Sequence, residues 1–398
     1  MLEILTEEEF NTFANQHPLG IFFQSTYWGH LKEMTGWSTH LVGIKENNKI
    51  LGASLLLSKK IPFFNKYIFY SPRGFLIDYN NTEFLDKYVQ EVKNYVKKNH
   101  GIFIKINPLV LHQERDINGD VVENGINNDE LINHLKKIGF QHTGFTTTYG
   151  HDLEPRWISV LDLENKTEEE VFKNFRSTYR RKIKHSLNGE LKIETMEENS
   201  EAFEKIMCHT GERRGFLVRP IEYYQKMNEL FKEHIQCVII TLNIPKKIKN
   251  IEIELTTAAD DRIQKLMDNK QELENLQKTY GNTLPLTCGV FMIFGREVTY
   301  LYGGSFDKYM KYLGPYYMQW EMIKYAIRNG YSKYNFYGIT GEFNEDSPMY
   351  GLFDFKRGFG AEVNELIGEF TLVTDKCYHW IYQIMFKVYR KLKRRVKI

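Results

Sequence analysis

Residues 319–339 read "QWEMIKYAIRNGYSKYNFYGI", and this stretch decides the fold class. Its first part has apolar residues at helical spacing, Asn329 and Gly330 form a helix stop, and an aromatic-rich strand follows. The same order occurs earlier, where a helical pattern over residues 85–95 ends at an Asn-His-Gly stop and precedes the strand "IFIKINP". The repetition predicts two similar halves of the α+β class.

The composition is that of a globular protein with substantial cores. The chain has 398 residues, of which 42% are hydrophobic and 14% aromatic, and this length accommodates two or three domains. The formal net charge is only +2, so no strong overall field indicates a nucleic-acid-binding protein. We therefore expect no DNA partner.

The cysteines and the apolar runs indicate the compartment. Four isolated cysteines show neither metal-ligand spacing nor a disulfide framework, which favours a reducing environment and no bound metal. The acidic N-terminus does not resemble a signal peptide, and no apolar run is long enough to span a bilayer. A cytoplasmic location is predicted, with contact at a membrane surface left open.

Two segments differ in composition from the rest of the chain. Residues 245–281 are rich in charged residues and carry narrow apolar stripes, which fits a short antiparallel helix pair or a long surface helix covering a sheet. Residues 376–398 form a basic amphipathic pattern with Trp380 and Phe386. That pattern fits an interfacial anchor or a docked final helix with a basic tail.

Common catalytic motifs are absent from the sequence. There is no GxSxG, no phosphate-binding Walker loop and no HExxH, and the glycine pattern that cradles the phosphates of acetyl-CoA is also missing. If the protein is an enzyme, we therefore expect it to use no covalent intermediate, no metal and neither CoA nor another cofactor.

Basic and aromatic residues beside glycines and prolines are the remaining candidates for a site. Lys32 follows Trp28 by one helical turn, Arg73 lies between a proline and a glycine, and Arg219 precedes Tyr223 by four residues. Such Arg, Lys and Tyr groups suit phosphate oxygens. We expect Arg219 and Tyr223 to share a helix face if that helix starts at Pro220.

Residues 350–360, "YGLFDFKRGFG", place Lys356 in an aromatic, glycine-punctuated loop. A charge in such a setting either covers the edge of a core by snorkelling or is held dry for a reaction.

Together, six segments resemble one family over nearly the whole chain: "QSTYWGHLK", "YSPRGFLIDY", "FRSTYRRKIKHS", "TGERRGFLVRPIEYY", "YLYGGSFDKY" and "YGLFDFKRGFG". The chain resembles the FemABX peptidoglycan bridge-forming aminoacyltransferases. The resemblance implies two acetyltransferase-like (GNAT-like) domains with an inserted coiled-coil arm. Residues 1–150 would form the first domain, to which residues 366–398 return, and 151–365 the second, with the arm at 245–281.

The resemblance also implies site residues. Lys32, Arg219 and Tyr223 occupy the positions that bind substrate phosphates, and Arg73 is a further substrate-binding candidate. A further substrate-contacting tyrosine is Tyr302 or Tyr309. The Phe-Lys pair of the last motif falls on Phe355 and Lys356. Asn107 occupies a position where some members have an aspartate considered as a general base, and an amide cannot accept a proton.

The implied reaction moves an amino acid (Gly, Ser or Ala) from aminoacyl-tRNA to the stem-peptide amine of a peptidoglycan precursor. The precursor is lipid II or UDP-MurNAc-pentapeptide, and the basic C-terminal helix favours lipid II. We expect Lys356 to face the tetrahedral intermediate, kept dry by neighbouring phenylalanines.

The basic stretch "FRSTYRRKIKHS" either grips tRNA phosphates through Arg180, Arg181 and Lys184 or is a solvated connection between a helix and a strand. The competing functions are a CoA-dependent N-acyltransferase on the same fold and a non-catalytic cell-wall scaffold protein.

Overall fold

A computed structural model describes residues 1–148 and 152–395, with side chains described up to residue 388. The strands are β1 Glu3–Ile4, β2 Ser38–Glu46, β3 Lys49–Lys60, β4 Tyr67–Ser71, β5 Gly101–Ile106, β6 Leu111–Glu114, β7 Phe140–His142, β8 Trp157–Asp162, β9 Leu191–Thr195, β10 Ile235–Asn243, β11 Thr283–Phe294, β12 Glu297–Ser305, β13 Lys333–Gly338, β14 Glu362–Leu366 and β15 Phe370–Val373.

The helices alternate with these strands along the chain. They are α1 Glu7–Gln16, α2 Thr26–Glu33, α3 Thr82–Lys98, α4 Asp129–Lys137, α5 Glu168–Asn174, α6 Ser177–Ser186, α7 Ser200–Arg214, α8 Ile221–Phe231, α9 Ile244–Leu255, α10 Asp260–Tyr280, α11 Gly314–Arg328, α12 Tyr350–Arg357 and α13 Lys376–Arg395.

The strands form two mixed sheets. The first has the order β1-β2-β3-β4-β5-β15-β7, and the second has the order β6-β14-β8-β13-β12-β11-β10-β9. Each contains one parallel pair, β4 with β5 and β12 with β13, among antiparallel neighbours. This repetition confirms the two GNAT-like units of the α+β class.

The chain crosses from one sheet to the other more than once, so neither sheet is built from one continuous segment. β15 inserts between β5 and β7 of the first sheet, so the chain returns there after residue 366. However, β6 pairs with β14 in the second sheet, although it lies in the first half of the sequence. The sheets therefore do not divide the chain at residue 150. The domain boundaries 1–150 and 151–365 stay a prediction.

The second sheet opens along its parallel pair. β12 pairs with β13 only from Glu297 to Thr299, opposite Lys333 to Asn335, although both strands continue beyond these residues. Because the strands separate, the peptide groups and side chains of their last residues become available to line a cavity.

The inserted segment is a pair of unequal helices. At 1.5 Å per residue, α9 is about 18 Å long and α10 about 32 Å. Arg262 pairs with Glu254, and Lys270 pairs with Glu252, so the helices run antiparallel. Leu273 is buried with the core of the second sheet.

One local prediction differs from the structure. The expected loop at residues 350–360 begins with the helix α12, in which Phe353 and Lys356 share the buried face and Asp354 pairs with Arg357 three residues on. Burial of that face outweighs the helix cost of about 1 kcal/mol for Gly351. The basic stretch after Arg176 forms the helix α6, which lies between α5 and β9.

Candidate active site

A cavity of about 300 Å³ lies where β12 and β13 separate. Its wall includes Tyr302 from β12, Tyr337 from β13 and Ile339 just beyond β13. Lys32 from α2 closes it on the side of the first sheet, and Arg219 and Tyr223 line it at the start of α8. The cavity therefore combines residues from both halves of the chain.

Lys32 is held over an aromatic ring at the cavity wall. Ser25 caps α2 by accepting a hydrogen bond from the Trp28 amide, and this fixes the helix that carries both residues. The Lys32 Nζ atom lies 4.2 Å from the centroid of the Trp28 ring. Burial lowers the pKa of Lys32, and this is opposed by the charge of Glu154 and reinforced by that of Arg219. An anion in the cavity would favour the charged form of Lys32.

Arg219 and two tyrosines also line the cavity. α8 begins at Ile221, one residue later than expected, with Pro220 as its N-cap. Arg219 nevertheless lies against the Tyr223 ring, with its guanidinium carbon 5.2 Å from the centroid. Burial raises the pKa of Tyr223 and that of Tyr302, and the two hydroxyls share a hydrogen bond. Both groups therefore remain neutral phenols that can donate hydrogen bonds.

Glu154 is a cavity residue that the sequence reasoning missed. It is half-buried between the described residue 152 and β8, and its Oε2 atom accepts a hydrogen bond from the Tyr337 hydroxyl. Burial raises its pKa, against the opposing effects of Arg73, the Tyr337 bond and Lys32. The sequence offers no local signal for this role beyond an acidic residue before Pro155.

Lys356 lies behind the cavity wall. Its side chain is buried, and its Nζ atom donates to the Gly338 carbonyl at 2.7 Å and to the Tyr337 carbonyl at 3.3 Å. Burial lowers its pKa to about 7. Phe353 and Phe359 are fully buried on either side of it in sequence, whereas Phe355 packs against Tyr179, Tyr316 and Phe359 away from the cavity.

Arg73 and Asn107 occupy the end of the parallel pair in the first sheet. Arg73 has a φ of +59° and is 1% exposed, and its Nη1 atom donates to the Pro155 carbonyl at 3.0 Å. The Asn107 Oδ1 atom accepts the Arg73 amide at 2.9 Å and the Tyr70 hydroxyl at 3.1 Å. Arg73 and Asn107 line a separate cavity of about 10 Å³, which has room for one water molecule at most.

The remaining predicted residues lie outside the main cavity. Tyr309 is buried near Tyr280 at the base of the helix pair, so Tyr302 rather than Tyr309 reaches the cavity. Arg180 donates to the Phe175 carbonyl at 3.1 Å, while Arg181 and Lys184 are exposed on α6. Within residues 1–148 and 152–388, no cluster of three His, Cys, Asp or Glu side chains could hold a metal ion.

The two sheets, with the cavity at the parting of β12 and β13, define a tandem GNAT-like acyltransferase. The FemAB family model matches residues 5–387. The chain is 32% identical to the aminoacyltransferase FemB of Staphylococcus epidermidis over 98% of this chain and 99% of FemB. It is 33% identical to the aminoacyltransferase FemA of Staphylococcus aureus over 96% and 98%.

A solved structure shares the architecture as well as the sequence pattern. The crystal structure of FemX superposes with a TM-score of 0.81 at 26% identity, covering 96% of this chain and 99% of FemX. The chain belongs to the FemAB family and is an aminoacyltransferase.

Proposed function

We propose that the protein transfers glycine, serine or alanine from aminoacyl-tRNA to the stem-peptide amine of a peptidoglycan precursor. The observation that carries the proposal is the convergence of Lys32, Arg219, Tyr223 and Tyr302 on one cavity. Two cations and two neutral phenols form a donor set for the pyrophosphate shared by lipid II and UDP-MurNAc-pentapeptide.

The chemistry requires alignment and charge stabilisation rather than a cofactor. The ester of aminoacyl-tRNA is already activated, so attack by an amine needs no further energy source. Positioning of the two reactants contributes about 7–11 kcal/mol in favourable cases. A preorganised donor facing the oxyanion contributes about 3 kcal/mol more.

We propose that Lys356 supplies the hydrogen-bond donor for the oxyanion. Two carbonyls accept from its Nζ atom, and an ammonium group carries a third N–H. Because Tyr337 lies between Lys356 and the cavity, a small movement of the β13 end on substrate binding would bring the ammonium to the reacting carbonyl.

The exposed face of α6 is the proposed contact for tRNA phosphates. Arg181 and Lys184 are exposed there, and Arg180 is half-buried beside them. We expect the double substitution Arg181→Gln and Lys184→Gln to reduce the slope of log affinity against log salt by about 1.4–1.8, or about 0.7–0.9 for each lost phosphate contact. Filter binding of aminoacyl-tRNA between low and physiological salt measures this slope.

The control for that experiment is Lys205→Gln. Lys205 is an exposed lysine that pairs with Glu201 on α7. An unchanged slope in the α6 double variant would assign α6 to a solvated surface instead.

The C-terminal helix is the proposed contact with the inner membrane face. Trp380, Ile384 and Val388 are exposed on α13, and Phe63 is 97% exposed in the turn before β4. Phe64 packs edge-on against Tyr378, which joins that turn to α13. The basic side chains from Arg390 to the end of the chain lie outside the described residues, and no described helix is long and apolar enough to cross a bilayer.

We expect Trp380→Ser to weaken binding to vesicles containing anionic lipid by at least about fivefold, because one large aromatic side chain no longer enters the interface. Co-sedimentation with anionic and with neutral vesicles measures the change. Gln383→Ser on the same helix is the control. Equal sedimentation of wild type and Trp380→Ser would favour a helix that is simply docked on the protein.

The function itself is tested by incubating the protein with labelled glycyl-, seryl- or alanyl-tRNA and each of the two precursors. We expect transfer to lipid II in preference to the UDP-linked precursor. Transfer from acetyl-CoA instead of aminoacyl-tRNA would identify a CoA-dependent enzyme, and absence of any transfer would favour a scaffold protein.

A further inference from the structure

Glu154 occupies a position in the cavity that neither phosphate binding nor oxyanion stabilisation explains. The cavity residues assigned to the phosphates are cations and phenols, which attract negative charge. Glu154 brings a carboxylate into this wall. No Lys or Arg nitrogen of the described side chains lies within ion-pair distance of it, and its oxygen is held by the Tyr337 hydroxyl. A half-buried carboxylate without an ion pair is costly to maintain.

Tyr337 connects this carboxylate to Lys356. The hydroxyl of Tyr337 donates to Glu154, while its backbone carbonyl accepts from the Lys356 Nζ atom at 3.3 Å. Glu154 and Lys356 therefore lie on two sides of Tyr337. A carboxylate can remove a proton and an ammonium group can stabilise an oxyanion, and the proposed reaction requires both.

The backbone at Tyr337 has an unusual conformation within a β-bulge. Its φ is +65°, and the pairing of β13 with β8 shifts register between Asn335 and Tyr337. The buried Asn335 side chain accepts the Tyr337 amide at 2.8 Å and donates to Glu297 at 3.1 Å. Positive φ in a non-glycine residue costs of order 1–3 kcal/mol and persists where the surroundings enforce it. The bulge thus aims the Tyr337 hydroxyl at Glu154.

We propose that Glu154 is the catalytic base that accepts the proton of the attacking amine, an inference that rests on the proposed transferase function. The neutral amine forms the new N–C bond at the ester carbonyl, and its proton passes to the Glu154 carboxylate. When the C–O bond to the ribose breaks, the leaving oxygen takes that proton back. The products are an amide and a free ribose hydroxyl, and Glu154 returns to its ionised form.

Apart from Asp152, a second lining carboxylate that accepts a hydrogen bond from the Thr146 hydroxyl, the other groups near the cavity are poorer proton acceptors. Asn107 is an amide, and Lys32 and Arg219 are cations. Tyr223 and Tyr302 stay protonated because burial raises the pKa of each hydroxyl. Burial also raises the pKa of Glu154, which strengthens its carboxylate as a base.

The environment of Glu154 determines the expected pH dependence. The titratable and charged groups that face Glu154 or line a cavity with it are Lys32 on α2, Tyr70 on β4, Arg73 after β4, Asp152 and Arg156 before β8, Arg219 before α8, Tyr223 on α8, Tyr302 on β12, Tyr337 on β13 and Glu369 before β15. Arg73, Tyr337 and Lys32 each favour its charged form. Removal of the Tyr337 hydroxyl therefore raises the pKa of Glu154 further.

The test is Glu154→Gln in the full chain, assayed for transfer between pH 5 and 9. Glutamine keeps an oxygen for the Tyr337 hydroxyl, so the fold is retained. We expect kcat at pH 7 to fall by about 100-fold or more. The remaining rate should rise about tenfold per pH unit, because the amine must then lose its proton to hydroxide. Glu164→Gln, at an exposed glutamate paired with Arg296, is the control.

A second variant, Tyr337→Phe, keeps the Glu154 carboxylate and removes the hydroxyl that donates a hydrogen bond to it. We expect the acidic limb of the kcat/KM profile to move to higher pH, a shift that a merely structural role of Glu154 would not produce. The inference is overturned if Glu154→Gln keeps the wild-type pH profile, or if only KM rises. Failure of the wild-type protein to transfer from any aminoacyl-tRNA would instead refute the proposed function.

Discussion

Replacing Lys356 by methionine should lower kcat for amino-acid transfer by about 100-fold or more while the protein remains folded. Methionine matches the length of the apolar stem but cannot donate a hydrogen bond to an oxyanion. Loss of one such donor in a preorganised site reduces the rate by about 10²–10³-fold. Single-turnover transfer from labelled aminoacyl-tRNA to lipid II measures the effect.

Stability measurements on the same variant test whether the buried amine is the source of the effect. Burial lowers the pKa of Lys356 to about 7 from 10.5, so between these values the unfolded chain binds more protons than the folded chain. Stability must therefore rise with pH in this window. We expect the free energy of unfolding of wild type to increase by about 2 kcal/mol relative to Lys356→Met between pH 7 and 9.

The matched control is Lys333→Met, at an exposed lysine where β13 begins. It should change neither kcat nor the pH dependence of unfolding. If Lys356→Met transferred at the wild-type rate, the lysine would be a structural group that holds the β13 end through the Tyr337 and Gly338 carbonyls. In that case the oxyanion would need another donor.

Local sequence patterns predicted the elements of the fold well because those elements depend on neighbouring residues. The helix stop at Asn329 and Gly330 and the strand after it lie where the pattern placed them. The loop expected at residues 350–360 was wrong because Phe353 and Lys356 acquire their buried face only from the tertiary structure. Glycine spacing alone could not show that packing.

Four of the residues predicted for the site from their motifs line one cavity. Lys32, Arg219, Tyr223 and Tyr302 meet there, although they come from distant parts of the chain. Glu154 was missed because its role depends on the Tyr337 hydroxyl, 183 residues away in sequence. A carboxylate beside a proline carries no local sign of such a partner.

Removing the two cavity cations should have the second large effect, on acceptor binding rather than on chemistry. We expect Lys32→Met and Arg219→Met each to raise KM for the lipid-linked acceptor by about 10–100-fold with little change in kcat. A hydrogen bond to a charged group contributes about 1.5–3 kcal/mol, and each 1.4 kcal/mol corresponds to a factor of ten in affinity.

The two substitutions should not be additive, because the two cations influence each other. The charge of Arg219 contributes to the lowered pKa of Lys32, because the two cations repel each other. Removing one of them relieves this repulsion and makes the remaining charge easier to keep in the cavity. The double variant should therefore lose less affinity than the product of the single effects. A double-mutant cycle on KM measures this coupling.

Inorganic pyrophosphate provides an independent probe of the same pair. It should inhibit wild type competitively with the acceptor, and the inhibition should disappear in the double variant. Lys49→Met, at an exposed lysine where β3 begins, is the control and should keep the wild-type inhibition constant. Because Lys32 belongs to the first half of the chain and Arg219 to the second, loss of inhibition in both single variants would mean that one anion bridges the two halves. Competitive inhibition that survives in the double variant would place the precursor's phosphates outside this cavity.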